Sequence, residues 1–186
     1  MTSYGENPDL AREREGIHNI FIHMFPTQLY IIRHAWAEEC GLDQDDYDRR
    51  LTKKGRKRFE QFIRFMQGFG LEIDLIVTSP LVRTRETAEI MVDVLQTPRL
   101  EIHDSLAPGS NWKEIAEWTA DENVTRVAWV GHAPCVGRLV AKAIGDGNAS
   151  IRMQKGAIAS ICLDSGLSQP GELQWLVTAQ VIEAAV

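Results

Sequence analysis

Residues 28–35 read Gln28-Leu29-Tyr30-Ile31-Ile32-Arg33-His34-Ala35. Leu29–Ile32 is a short apolar run rich in β-branched residues and reads as a buried strand. An arginine and a histidine follow it at once. Two later segments repeat the arrangement. Ile73–Val77 (IDLIV) reads as a strand and runs into Thr78-Ser79-Pro80-Leu81-Val82-Arg83. Arg126–Val130 (RVAWV) reads as a buried strand and runs into Gly131-His132. In open α/β sheets ligands bind beyond the carboxyl ends of the strands. The spacing therefore predicts that Arg33, His34, Arg83 and His132 converge at one sheet edge.

Helix signals separate these strands. Thr52 is a candidate N-cap; Phe59, Phe62, Ile63 and Met66 recur at helical spacing, and Gly70 closes the pattern. A second helix is expected from about Pro80 to Leu95, with Ala88, Met91, Val92 and Leu95 inward. Leu100–His103 suggests a short strand, and Trp112–Thr119 a short helix. Pro134 opens a helix to about Ile144. Strands are expected near Ala157–Leu163 and Gln174–Val181. Alternating strands and helices imply a single α/β domain, with a mainly parallel sheet and helices on both faces.

The chain has 186 residues, 44% of them hydrophobic, and a net charge of -6, which suits one domain with its own core. The acidic balance argues against a nucleic-acid partner. It does not exclude a phosphorylated substrate, because a small pocket can be locally positive. No run of 18 apolar residues occurs, so no membrane span is expected. Residues 1–26 read as an N-terminal extension, and the domain as 27–186. Met24 is a candidate start within that extension. The polar N-terminus is unlike a secretory signal. Cys40, Cys135 and Cys162 show no C-x-x-C pair and read as reduced thiols of a cytoplasmic protein.

The four converging residues suit phosphoryl transfer through a covalent intermediate. A neutral imidazole is a nucleophile near pH 7. Arginine is always charged and its planar fork holds phosphate oxygens in bidentate fashion. Two arginines and a second imidazole can bind the transferring group while charge builds on it. No metal ligand spacing is present, and neither metal nor other cofactor is expected. Taken singly, His34 also fits a core histidine or a metal ligand, and Arg33 and Arg83 also fit salt-bridge partners.

Three segments together carry a family resemblance. LYIIRHAWAEE resembles the Arg-His signature of the histidine phosphatase (phosphoglycerate mutase-like) superfamily. TSPLVRTRETA resembles its S-P-L-x-R segment, and WVGHAPCVGRL its G-H-x-P segment, in matching order from about residue 28 to about residue 180. The resemblance implies that His34 accepts the phosphoryl group and that Arg33, Arg83 and His132 form the phosphate pocket. Asp48-Arg49-Arg50-Leu51-Thr52-Lys53-Lys54-Gly55 resembles a run of the short, SixA-like branch of phosphohistidine phosphatases, with Arg50 where proline is usual. The short interval from Arg83 to His132 leaves little room for a lid, so an open site is implied. The implied substrate is phosphohistidine on a phosphotransfer domain of a signalling protein. A small phosphate ester (sugar phosphate or nucleotide) is the nearer alternative, and a non-catalytic phosphoprotein-binding module the further one.

Two departures bear on the chemistry. Many members place a proton-donating glutamate where this chain has Pro108, within Leu106-Ala107-Pro108-Gly109. An alkoxide leaving group needs such an acid far more than imidazole does, which favours a phosphoramidate. Asp104 is a candidate substitute. Ala35 stands where glycine is common, which matters little unless the backbone there needs a positive φ.

The remaining candidates have ordinary readings. Arg85 lies two residues beyond Arg83 and reads as a surface residue. His18, His23 and His103 have no partner segment. Lys53, Lys54, Arg56, Lys57 and Arg58 form either a solvated helix face or a docking strip for an acidic phosphoprotein. The acidic run Asp43–Asp48 reads as a solvated loop near the site entrance. Trp129 is expected in the core, and Trp36 at the pocket edge.

Overall fold

The structure, a computed structural model, describes residues 27–41, 45–96 and 98–183. The expected extension 1–26, with Met24, lies outside the described residues. Six strands form one sheet: β1 (Thr27–Arg33), β2 (Leu75–Thr78), β3 (Arg99–Ile102), β4 (Arg126–Gly131), β5 (Ile158–Leu163) and β6 (Glu172–Val177), in the order β3-β2-β4-β1-β5-β6. The first four are parallel, and β5 and β6 add an antiparallel edge beside β1.

Among the described residues five helices cover the sheet: α1 (Lys53–Gly68), α2 (Val82–Leu95), α3 (Trp112–Asp121), α4 (Cys135–Ala143) and α5 (Ala179–Glu183). Strand alternation sorts the core into two layers. Tyr30, Ile32, Ile76, Ala128 and Val130 pack against Phe59, Phe62, Ile63, Met91 and Val94 of α1 and α2. Leu29, Ile31, Val77, Val127 and Trp129 face Ile115, Leu139 and Val140 of α3 and α4. Trp129 is fully buried, and its indole N–H donates to Thr119 Oγ1 at 3.1 Å. That single bond satisfies the one polar atom of the largest core side chain.

Helix ends follow the sequence signals. Thr52 Oγ1 accepts the Gly55 N–H at 2.9 Å. At the other end of α1 Gly70 takes φ 85°, while the N–H groups of Gly70 and Leu71 reach the carbonyls of Gln67 and Met66. This is the left-handed helix stop that glycine allows. Several boundaries differ from expectation by a residue or two, the second strand for one running Leu75–Thr78 and not Ile73–Val77, and two of the differences have a clear cause. α2 starts at Val82 and not Pro80, because Leu81 is the extended residue before the first turn. The last strand ends at Val177, not near Val181, and Ala179 opens α5. Ala179 is buried against the α1–α2 layer, so packing overrides the apolar run's strand preference.

The register decides where the site lies. Arg33 of β1 pairs with Gly131 of β4, and Thr78 of β2 with Val130. The carboxyl ends of β1, β2 and β4 are therefore level. β4 enters between β1 and β2, so the chain leaves these strands toward α1, α2 and α4 on opposite faces. That divergence opens a crevice at the strand ends.

Candidate active site

Arg33 ends β1 and His34 follows it. The His34 N–H donates to the Gly131 carbonyl at 3.0 Å, and the Ser79 N–H to the Val130 carbonyl at 3.1 Å. The sheet ladder thus continues one residue past the strands and fixes the backbone under all three segments. The His34 and His132 rings stand 5.4 Å apart, tilted by 56°. Both are buried, as is Arg83, while Arg33 is half-buried. All four expected residues come together.

His34 Nδ1 lies 2.7 Å from the Ala35 carbonyl oxygen. A carbonyl only accepts, so Nδ1 carries the proton and the lone pair of the neutral ring resides on Nε2. Ala35 is held in turn: its N–H donates to Thr87 Oγ1 at 3.0 Å, and Thr87 Oγ1 donates to the Arg83 carbonyl at 2.7 Å. One chain of bonds therefore joins the His34 turn to the first turns of α2. Among the described residues Ala35 is not one of the non-glycine residues with positive φ, so alanine fits this position without strain.

Both imidazoles are strongly biased toward the neutral form. Burial pushes His34 down to about 3, partly opposed by the Ala35 carbonyl and reinforced by His132, Arg83 and Arg33. Burial likewise pushes His132 down to about 4, with Arg83 adding to it and Asp46 opposing. His132 Nε2 lies 2.8 Å from Ser79 Oγ, which also accepts the Leu81 N–H at 3.4 Å. Among the described residues, His132 Nδ1, Arg33 Nε and Arg83 Nε are buried without a hydrogen-bond partner. Buried polar groups are rarely left so, and a bound anion would give these three a partner.

Arg83 is not free, however. Its Nη1 donates to the Asp46 carbonyl at 2.6 Å and its Nη2 to Asp46 Oδ2 at 2.8 Å. Asp46 opens a single 3-10 turn, Asp46–Asp48, and also meets Arg49 at 2.9 Å. The acidic run thus supplies a residue to the site, where a solvated loop is expected; residues 43–44 lie outside the described ones. Asp46 has no distinctive sequence signal, being one of several aspartates in an aperiodic stretch. Sequence reasoning also misses Glu86. Its buried carboxylate accepts the Leu51 N–H at 2.7 Å and meets Arg50 at 3.0 Å and Arg56 at 3.2 Å.

The other candidates fall as follows. Asp104 and Pro108 are exposed, and among the described residues no hydrogen bond or ion pair joins Asp104 to the four. Arg85 is partly buried. His103 packs on Trp118, with ring centroids 5.2 Å apart, and His18 and His23 lie outside the described residues. Of the basic strip, Arg56 is taken by Glu86 and Arg58 stacks on Trp36 at 4.1 Å. Trp36 does edge a cavity beside Arg33. Among the described residues no group of three or more His, Cys, Asp or Glu could hold a metal ion. No helix among them is long and apolar enough to cross a membrane.

A sequence model described as the histidine phosphatase superfamily (branch 1) matches residues 29–125. The chain belongs to the histidine phosphatase superfamily. An uncharacterised protein of Picosynechococcus is 32% identical over 72% of this chain and 84% of its own length. The phosphohistidine phosphatase SixA of Escherichia coli is 29% identical over 80% of this chain and 91% of its own. A solved structure of the protein histidine phosphatase SixA complexed with tungstate superposes with a TM-score of 0.75 at 27% identity, covering 84% of this chain and 99% of that one. This histidine phosphatase is thus an enzyme of the short, SixA-like kind, with the phosphoglycerate mutase-like fold.

Proposed function

We propose that this histidine phosphatase removes phosphate from phosphohistidine on a signalling protein, by way of a phosphoryl group carried on His34. The observation that carries the reading is the clustering of His34 with His132, whose ring is 5.4 Å away, and with Arg33 and Arg83, each of these three neighbours holding a buried nitrogen without a hydrogen-bond partner. A tungstate-bound SixA supports it, since tungstate has the tetrahedral shape of phosphate.

In the first step His34 Nε2 attacks phosphorus in line with the leaving group. The P–N bond to the substrate imidazole breaks, its electron pair stays on that nitrogen, and water supplies the proton. Arg33, Arg83 and His132 hold the equatorial oxygens. The Ala35 carbonyl stabilises the positive charge that His34 gains as it bonds to phosphorus, because it accepts from Nδ1. In the second step water attacks phosphorus, the bond to His34 breaks, and orthophosphate and neutral His34 result. Ser79 donating to His132 Nε2 would keep the proton on Nδ1, the nitrogen left to meet the phosphoryl oxygen.

Among the described residues neither Pro108 nor Asp46 is a suitable acid, which supports a phosphoramidate over an alkyl ester. Pro108 is exposed and carries no proton. Partial burial pushes the Asp46 carboxyl up, but the Arg83 guanidinium beside it outweighs this and holds it below the usual carboxylate range. Asp46 is therefore ionised at neutral pH and is no proton donor there. The test compares phosphate release from a phosphohistidine-bearing phosphotransfer protein, para-nitrophenyl phosphate and a sugar phosphate. Release that is greatest from phosphohistidine and lost in His34→Ala is expected. A sugar phosphate turned over with higher kcat/KM than phosphohistidine would overturn the substrate assignment.

A further inference from the structure

We infer that the cavity beside Arg33 docks acidic side chains that flank the phosphohistidine of a protein substrate, an inference that rests on the function proposed above. The cavity holds about 600 Å³, far more than one phosphoryl group occupies. Arg33, Trp36, Pro134, Arg152, Lys155 and Gln180 contribute to its lining. Arg33 belongs to both the cavity and the cluster around His34, so the cavity adjoins the place where the phosphohistidine would be held.

Its charge is the second observation. Three cations line the cavity, and among the described residues no Asp or Glu does. The whole chain carries -6, so a carboxylate-free cationic wall runs against its average. The basic strip at the start of α1 is a weaker candidate for the same partner. Arg56 shares the Glu86 carboxylate with Arg50, and Arg58 stacks on Trp36. Charge complementarity of this kind selects partners and speeds their encounter.

The wall is also fixed in place. Arg33 Nη1 donates to the Met153 carbonyl at 2.9 Å, and the Gly156 N–H lies 3.1 Å from the carbonyls of both Arg33 and His34. Gly156 takes φ 70°, with Trp36 and Phe59 where a side chain would go. Residues 150–155 are thereby clamped to the strand that carries the nucleophile. Arg152 and Lys155 are exposed on this clamped segment, which holds their backbone and leaves their side chains to solvent.

The experiment uses two phosphohistidine peptides that differ only in having two aspartates or two asparagines beside the phosphohistidine. Wild type is expected to prefer the aspartate peptide by about tenfold in kcat/KM, a preference that weakens with added salt. The variant R152Q/K155Q should bring that ratio close to one. The variant R152E/K155E should turn the preference toward a third peptide with two lysines at those positions. Ratios are read within each variant, so a general loss of activity does not imitate the effect, and the single variant R152Q serves if a double variant fails to fold. Equal use of both peptides by wild type, or a preference that survives both variants, would overturn the docking site while leaving the phosphatase reading intact. Release from neither peptide would overturn both. Sensitivity of a bis-anionic sugar phosphate alone would assign the cavity to a small ligand and overturn the inference.

Discussion

Asp46 occupies both terminal nitrogens of Arg83, one through its backbone carbonyl at 2.6 Å and one through its carboxylate at 2.8 Å. The phosphate-binding candidate thus carries its own counter-ion, leaving Nε–H and the second hydrogen of each terminal nitrogen to meet an anion. The pairing aims the guanidinium, and it also sets a negative charge beside an incoming anion. Asp46→Asn keeps the backbone contact and an amide oxygen for Nη2, and removes the charge. Inhibition by orthophosphate is expected to tighten by about threefold to tenfold. Weaker inhibition in that variant would show that aiming Arg83 outweighs the repulsion.

The two histidines give a pH prediction. Folded His34 and His132 hold pKa values of about 3 and about 4, below the ordinary 6.5. The unfolded chain binds protons on both as pH falls through 6.5, while the folded chain stays neutral until much lower pH. These groups therefore favour the folded state above pH 6.5, and that stability is lost as pH falls from there toward 4 and 3. Histidine ring resonances in NMR spectra of the free enzyme should show neither group protonating above about pH 5. Titration near 6.5 would contradict the buried, cation-flanked setting.

Ser79 touches His132 and no substrate in the proposed mechanism, so it is a positioning residue. Ser79→Ala removes the group that keeps the proton on His132 Nδ1. A fall in kcat of about tenfold is expected. Ser79→Thr, which retains the hydroxyl, should recover much of it, whereas a purely steric role would make threonine the worse substitute.

Glu86 joins the start of α1 to α2 by one backbone N–H and two arginines. Glu86→Ala strands the buried Leu51 N–H. Urea unfolding should report a loss of about 1–3 kcal/mol. Arg50 is exposed, so Arg50→Ala should cost well under half of that.

Gly137 marks a close approach between α4 and the wall of the cavity. A Cβ there would stand 2.2 Å from the Ile151 carbonyl oxygen, a backbone atom that cannot rotate away. Gly137→Ala should cost about 1–3 kcal/mol in urea unfolding. Because the strain falls on residues 150–155, the preference for acidic flanks should weaken as well.

Much of this enzyme is legible in its sequence, and the reason is local. Buried parallel strands must be apolar along their length, so Leu29–Ile32, Leu75–Val77 and Val127–Val130 declare themselves. The residues just beyond them must lie at the ligand edge, which brings His34, Arg83 and His132 together before any coordinates are known. Helix ends such as the start at Thr52 and the stop at Gly70 depend on hydrogen bonds a few residues away and are equally readable.

What the sequence does not reveal depends on long-range contact. Asp46 reaches Arg83 across 37 positions, and Glu86 reaches Leu51 across 35. Neither separation has a period, and each aspartate in residues 43–48 looks alike until one of them is folded over an arginine. The fate of the basic strip is of the same kind, since Glu86 neutralises part of it while Arg152 and Lys155 line the cavity by Arg33. The sequence by itself determined the sheet, the helices and the four residues at the strand ends, because patterning and chain connectivity act over short range. Only the tertiary structure decided which charge faces which, because ion pairs and burial are set by distance in space.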